Sequence, residues 1–198
     1  MSSADSRIQM QASILNDFKN DFDNLGEARC DAAGFALAHM NTLRRGTIPY
    51  KKVPSRVWQV MDFFDKLSMY SSRHYIDQQM TFVGFYYWMG PYYEFYKEEV
   101  DDFQGANRLA MYNGIEEQVD VLRRVAIDKL GKTDHDFNTA LSDEKIKEFF
   151  ELERDETCAP GAIPSAPAEP RATAWRIGTV TSDCPECLFR CLGSGAFS

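Results

Sequence analysis

The chain has 198 residues, 44 % of them hydrophobic and 26 % charged, which excludes a low-complexity or collagen-like polymer and leaves room for one domain with a real core. Its net charge is −8. Residues 157–198 balance Arg171, Arg176 and Arg190 against Glu169, Asp183 and Glu186, so the whole excess lies on residues 1–156, a surface that repels phosphate backbones and speaks against nucleic-acid binding.

The first predicted element is a helix from about Ser6 to Asp23, where Ile8, Ala12, Leu15, Phe18, Phe22 and Leu25 recur every three or four residues and share one face. Asn24 and Gly26 interrupt it, and Asn24 with Glu27 starts a second helix running to about Arg45. Its expected buried stripe is Cys30, Ala33, Leu37 and Met40, small enough for a neighbour to pack close. Arg44 and Arg45 suit the negative end of that helix, and Gly46 stops it. After a connection containing Pro49, Pro54 suits the first turn of a third helix with Val57, Val60, Met61, Phe64 and Leu67 on its inner face.

Asp77 is a plausible N-cap for a fourth helix holding Met80, Val83, Gly84 and Tyr87. Gly90-Pro91 is expected to kink or end it, because proline lacks an N–H and disfavours helix in the preceding residue; helix should resume from Tyr92 to Phe103. A short piece around Arg108–Tyr112 precedes a long helix marked by Ile115, Val119, Leu122, Ala126 and Leu130 and ended by Gly131. Ser142 caps a last helix holding Ile146, Phe149 and Phe150. From Thr157 the composition turns to Pro, Ala, Gly and Ser, too poor in apolar surface to offset its ordering entropy. The reading is therefore an all-α protein: a single helical bundle of five to seven helices over residues 1–156, then a disordered C-terminal tail over residues 157–198.

Nine of the fifteen residues from Phe82 to Tyr96 are aromatic. The segment from Met80 to Tyr96 falls short of the about 20 apolar residues a span needs, and it carries Glu94 and five tyrosines. It reads as a central helix of the protein interior, with no membrane span. Gly84 and Gly90 would let neighbours approach closely. Helical spacing sets Met80, Val83 and Tyr87 on one stripe and leaves Phe82, Phe85, Tyr86 and Trp88 largely off it. Trp88 and Tyr93 are the candidate residues of a partly exposed groove for a partner helix or peptide.

Residues that carry chemistry are scattered. Cys30 stands alone in the domain, while Cys158, Cys184, Cys187 and Cys191 fall in the tail. Two-residue spacing in Cys184-Pro-Glu-Cys187 suits a zinc or iron–sulfur clamp, but the fourth ligand would be distant Cys158, so no metal is expected. Cysteines in this pattern make no secreted disulfide framework, and no signal peptide is read at Met1–Met10; a reducing, cytoplasmic setting is the expectation. Cys30 and His39 lie nine residues apart on one helix, about 13 Å along its axis, too far for a nucleophile–base pair. His74 and His135 are expected in connections. The acidic runs lack the Glu-x-x-His pattern of paired di-metal helices and read as solvated faces. Arg44, Arg45, Lys51, Lys52 and Arg56 cluster without the interleaved aromatics of a nucleic-acid surface. No catalytic, cofactor or metal-binding residue is assigned.

Met61-Asp62-Phe63-Phe64-Asp65, Ile76-Asp77, Phe85-Tyr86-Tyr87-Trp88 and Tyr92-Tyr93 together resemble an uncharacterised bacterial helical family, domain of unknown function 4760, over about residues 28–104. The resemblance implies an apolar helix, a short turn and an aromatic-rich helix, and it implies no activity. Many members look membrane-anchored through N-terminal spanning helices. This chain shows none, so that role is not carried over. The expectation is a non-catalytic cytoplasmic interaction or regulatory protein that meets a protein partner, or a second copy of itself, through an aromatic-rich helical surface. The alternatives are an enzyme with scattered polar residues around Gly90-Pro91 and, more distantly, a metal-sensing tail.

Overall fold

Seven α-helices, a 3-10 turn and no strand make up the described residues, 3–43, 48–107 and 111–158 of a computed structural model. All of them belong to one unit, residues 1–164. The expected disordered tail, beyond Cys158, lies outside the described residues, as do Arg44 and Arg45.

Helix α1 (Ser3–Asp23) buries Leu15, Phe18 and Phe22 on the predicted face, whereas Ile8, one end of that stripe, is 46 % exposed. Helix α2 (Gly26–Leu43) does bury a stripe of small residues, which shares only Ala33 with the one expected: Ala28, Ala32, Ala33 and Ala36 are buried together with Arg29, while Cys30, Leu37 and Met40 are half-buried. The low bulk of this stripe brings α4 close enough for the Tyr96 hydroxyl to donate to the Ala32 carbonyl at 2.8 Å. A 3-10 turn (Tyr50–Lys52) and Pro54, extended at ψ 144°, lead into α3 (Ser55–Ser72). All five predicted inner residues of α3 are buried, joined by Phe63, Ser68 and Ser71.

Helix α4 (Gln78–Asn107) is the 30-residue centre of the fold. The Asp77 carboxylate accepts the backbone N–H groups of Gln79 and Met80, the expected cap. The helix continues through Gly90-Pro91 without the end that the sequence allowed there. An interior proline costs about 3 kcal/mol. Burial of Phe85, Tyr86 and Met89 before it and Tyr92, Phe95 and Tyr96 after it offsets that locally, since each large buried side chain contributes about 1.5–3 kcal/mol. The inward face is also not the predicted one: Val83 is 51 % and Tyr87 37 % exposed, and the supposed off-stripe residues Phe85 and Tyr86 are buried. Because α1, α2, α3, α5 and α7 all touch α4, its buried arc is wide and its setting follows the neighbours' shape. Phe85 meets Phe22 and Phe63, Tyr86 meets Phe137, and Tyr92 meets Phe64 and Phe150. The two glycines are not needed for close approach. A Cβ at Gly84 would meet Leu15 at 3.6 Å and one at Gly90 would meet Leu141 at 3.5 Å, both ordinary contact.

Tyr112, left-handed at φ 69°, turns the chain into α5 (Asn113–Leu130), and its hydroxyl donates to Asp62 at 2.7 Å. Gly131 ends α5 at φ 63°, a conformation glycine adopts without steric cost. A short helix follows that the sequence reading placed in a turn: α6 (Asp134–Ala140), closed by a reciprocal capping box between Thr133 and Asp136. In α7 (Asp143–Thr157) Ile146, Phe149 and Phe150 are buried as predicted, and so is Glu153. Ser142 holds the N-cap position without a side-chain bond.

Candidate functional site

Helix α4 divides two very different environments. On the side facing α2 and α7, Arg29 donates to both oxygens of Glu153, Nε to Oε1 at 2.6 Å and Nη2 to Oε2 at 3.0 Å. The two side chains are 8 % and 1 % exposed. Tyr92 donates its hydroxyl to the same Glu153 Oε1 at 3.2 Å, and the guanidinium lies 4.2 Å over the Phe22 ring. Burial alone would weaken the charge on Arg29; the hydrogen bonds and charge of Glu153 more than offset it and hold the guanidinium protonated. Burial and then the Glu153 carboxylate push the Tyr92 phenol well above its ordinary range. Every member is enclosed, so this cluster orients three helices and offers no surface to a ligand.

Beside it lies a covalent link that the sequence reading did not anticipate. Cys30, taken as isolated, is bonded to Cys158 across 128 residues of sequence, with the Cα atoms 5.1 Å apart. Only the folded pairing of α2 with the end of α7 makes these neighbours. The bond removes Cys30 from any pairing with His39, whose Nδ1 meets the Phe35 carbonyl at 3.0 Å. It also removes Cys158 as a fourth ligand for the tail cysteines, whose other members lie outside the described residues.

The opposite side of α4 faces α5 and α6 across a cleft of about 200 Å³. Tyr86, Phe137 and Leu141 form its apolar floor beside Gly90; Tyr93, Glu94 and Lys97 of α4 and Glu116, Asp120 and Arg123 of α5 line the rest. Lys97 is paired with Glu94 at 2.7 Å and Arg123 with Asp134 at 2.7 Å. Glu116 and Asp120 form no ion pair among the described residues. Burial first, then the carboxylates of Glu116, Asp101, Glu94 and Asp120, raise the Tyr93 phenol, so its hydroxyl stays neutral at any physiological pH. The buried Arg123 Nε has no hydrogen-bond partner. Of the ionisable groups around the cleft, Tyr86 is buried and the rest are half-buried or exposed.

Trp88 and Tyr93 are both half-buried, but the structure does not bring them together. Five residues turn the helix by about 140°. Tyr93 lines the cleft, whereas Trp88 packs on Phe22 and Tyr87 at 5.3 Å each and sits 5.9 Å from the Arg29 guanidinium. The residues that complete the cleft, Glu116, Asp120, Arg123 and Phe137, come from two later helices. Their signal in the sequence was the acidic stripe of α5, read as solvated. His135 is exposed in the first turn of α6, and His74 is an exposed left-handed turn residue. Arg56 of the basic cluster is neutralised by Glu27 and Asp31 of α2, each at 3.1 Å.

Fold and site together define an all-α bundle with a charged, aromatic-floored cleft beside its central helix. No described helix is long and apolar enough to cross a membrane, and among the described residues no group of three or more His, Cys, Asp or Glu is placed to hold a metal ion. The chain matches no protein-family model, no curated protein and no solved structure.

Proposed function

We propose that the chain is a non-catalytic cytoplasmic interaction or regulatory protein, and that its α4–α5–α6 cleft receives a basic side chain from a protein partner. The observation that carries the reading is the pair of carboxylates, Glu116 and Asp120, which make no ion pair among the described residues although Lys97 and Arg123, paired with Glu94 and Asp134, line the same cleft with Tyr93, Tyr86 and Phe137. A lysine or arginine would lay its apolar stem on Tyr86 and Phe137 and its charge against the acids. The net charge of −8 favours encounter with such a partner, and disfavours nucleic acid. The resemblance over residues 28–104 supplies no activity and adds nothing here. An enzyme built around Gly90-Pro91 is the competing reading; an acid–base site usually holds several buried ionisable groups, and here Tyr86 is the buried one.

The test compares the wild-type chain with the Glu116→Lys/Asp120→Lys variant against an array of peptides centred on lysine or arginine. Both residues are exposed, so melting should hardly change. Binding of basic peptides by wild type and its loss in the variant supports the reading. Equal binding, or none by either protein, overturns it.

A further inference from the structure

The last turn of α7 has an unusual anchorage. The buried residues of this helix are Ile146, Phe149, Phe150 and Glu153. Beyond Glu153, residues Arg154, Asp155 and Glu156 are exposed and Thr157 is half-buried. That turn therefore carries no apolar anchor of its own. Two things hold it: the Arg29–Glu153 pair at its inner edge and the Cys30–Cys158 bond at its outer edge. The pair by itself is a poor anchor, because a salt bridge taken out of water gains little over its hydrated, separated partners. Cys158 is exposed and Cys30 half-buried, so the bond is within reach of an external thiol.

We propose that the Cys30–Cys158 bond is a redox-sensitive clasp that, when oxidised, holds the end of α7 over the Arg29–Glu153 pair and, when reduced, lets that end fray and admits water to the pair. The chemistry is ordinary exchange with a dithiol reductant. One thiolate attacks the exposed Cys158 sulfur, and Cys30 leaves as a thiolate and takes a proton. The reductant's second thiolate attacks the mixed disulfide and releases Cys158. The dithiol ends as a disulfide, and two electrons and two protons pass to the protein. Disulfides in reducing compartments are commonly transient and redox-sensing, so the clasp suits the cytoplasmic setting proposed above while standing independently of the cleft. The clasp adjoins the outer face of α4, where Tyr87 packs on Phe149 at 5.4 Å and its phenol is raised first by burial and then by the charges of Glu156 and Glu153.

The experiment uses the full chain with Cys184→Ser, Cys187→Ser and Cys191→Ser, so that the tail thiols take no part in exchange. Alkylation and peptide mapping of protein purified without reductant should show Cys30 joined to Cys158. Amide hydrogen exchange is then followed with and without a phosphine reductant. On reduction, amides of residues 154–158 should exchange about tenfold faster or more, while those of Val57–Leu67 in α3 stay protected. Cys30→Ser and, separately, Cys158→Ser should reproduce the reduced pattern without reductant. Free thiols at both positions overturn the proposal, as does protection at 154–158 that is the same in both states. Loss of protection in α3 to the same extent also overturns it, since the bond would then be a global staple and no local clasp.

Discussion

Tyr92 and Tyr93 are consecutive residues of one helix with opposite surroundings. Tyr92 is fully buried, its hydroxyl tied to Glu153 and its ring against Phe64, Phe149 and Phe150. Tyr93 is half-buried, its hydroxyl set among carboxylates on the wall of a cleft. The difference comes from what each side of α4 meets. Toward α2, the alanine stripe admits α4 and α7 so closely that an ion pair and a phenol are sealed between them. Toward α5, Glu116, Asp120 and Arg123 line an open cleft of about 200 Å³ beside the helix contact. A polar group on the closed side bears on stability, in either sense according to whether it is partnered, and one on the open side is available for recognition.

The sharpest way to break this comparison is to uncouple the closed side. Glu153→Ala strands the Arg29 charge and should cost about 3–5 kcal/mol in chemical denaturation. The double variant Arg29→Met/Glu153→Leu should recover most of that loss, since neither charge is then buried. A Glu153→Ala chain as stable as wild type would mean that the pair is hydrated and the closed side is not closed. Next in size is the contrast between the two faces of the aromatic segment. Phe85→Ala, which opens a cavity beside Phe22 and Phe63, should cost about 3–5 kcal/mol. Tyr93→Ala should cost about 1 kcal/mol and abolish binding of basic peptides. Equal losses in a melt would make the cleft wall plain core.

Glu99 sharpens the comparison through pH. It lies one and two turns beyond Tyr96 and Tyr92 on the same side of α4, is 2 % exposed, and its Oε2 has no hydrogen-bond partner. Burial, then the charges of Glu98 and Asp102, raise its carboxyl from an ordinary 4.5 to about 7. The folded chain therefore binds this proton more tightly than the unfolded chain. Stability from this group is full below about pH 4.5, declines as pH rises toward about 7, and is flat above. Glu99→Gln should match wild type near pH 4.5 and exceed it by about 1–3 kcal/mol at pH 8. A variant whose advantage does not change with pH would show that Glu99 is already solvated. The smallest effect belongs to Gly84, where a Cβ finds ordinary contact with Leu15. Gly84→Ala should stabilise by about 0.4–1 kcal/mol in the same denaturation assay, and a loss would show that α1 and α4 pack more tightly there than the distance to Leu15 indicates.

Much of the helical framework is legible in the sequence because its causes are local. The inner face of α3 follows from Val57, Val60, Met61, Phe64 and Leu67; Asp77 starts α4 and Gly131 stops α5 within a turn of where they stand. The short α6 was missed for a local reason too: its capping box pairs Thr133 with an aspartate in place of the usual glutamate or glutamine, which makes a weaker signal. The candidate site was half legible. Tyr93 was singled out by the density of aromatics, but its partners on α5 were indistinguishable from any solvated acidic stripe, and Trp88 was grouped with it although the helix turns them apart.

From the sequence alone come the all-α class, a range of five to seven helices, most of their ends and the central place of the aromatic segment, since periodicity, caps and glycine stops act over a few residues. Tertiary structure decided which arc of α4 turns inward, whether Pro91 breaks it, which small residues of α2 are buried, and that Cys30 meets Cys158 and Arg29 meets Glu153. The last two join residues more than a hundred positions apart, and the others depend on contacts between different helices. A helix packed among the others is rotated by the shapes of its neighbours, which no period in its own sequence encodes.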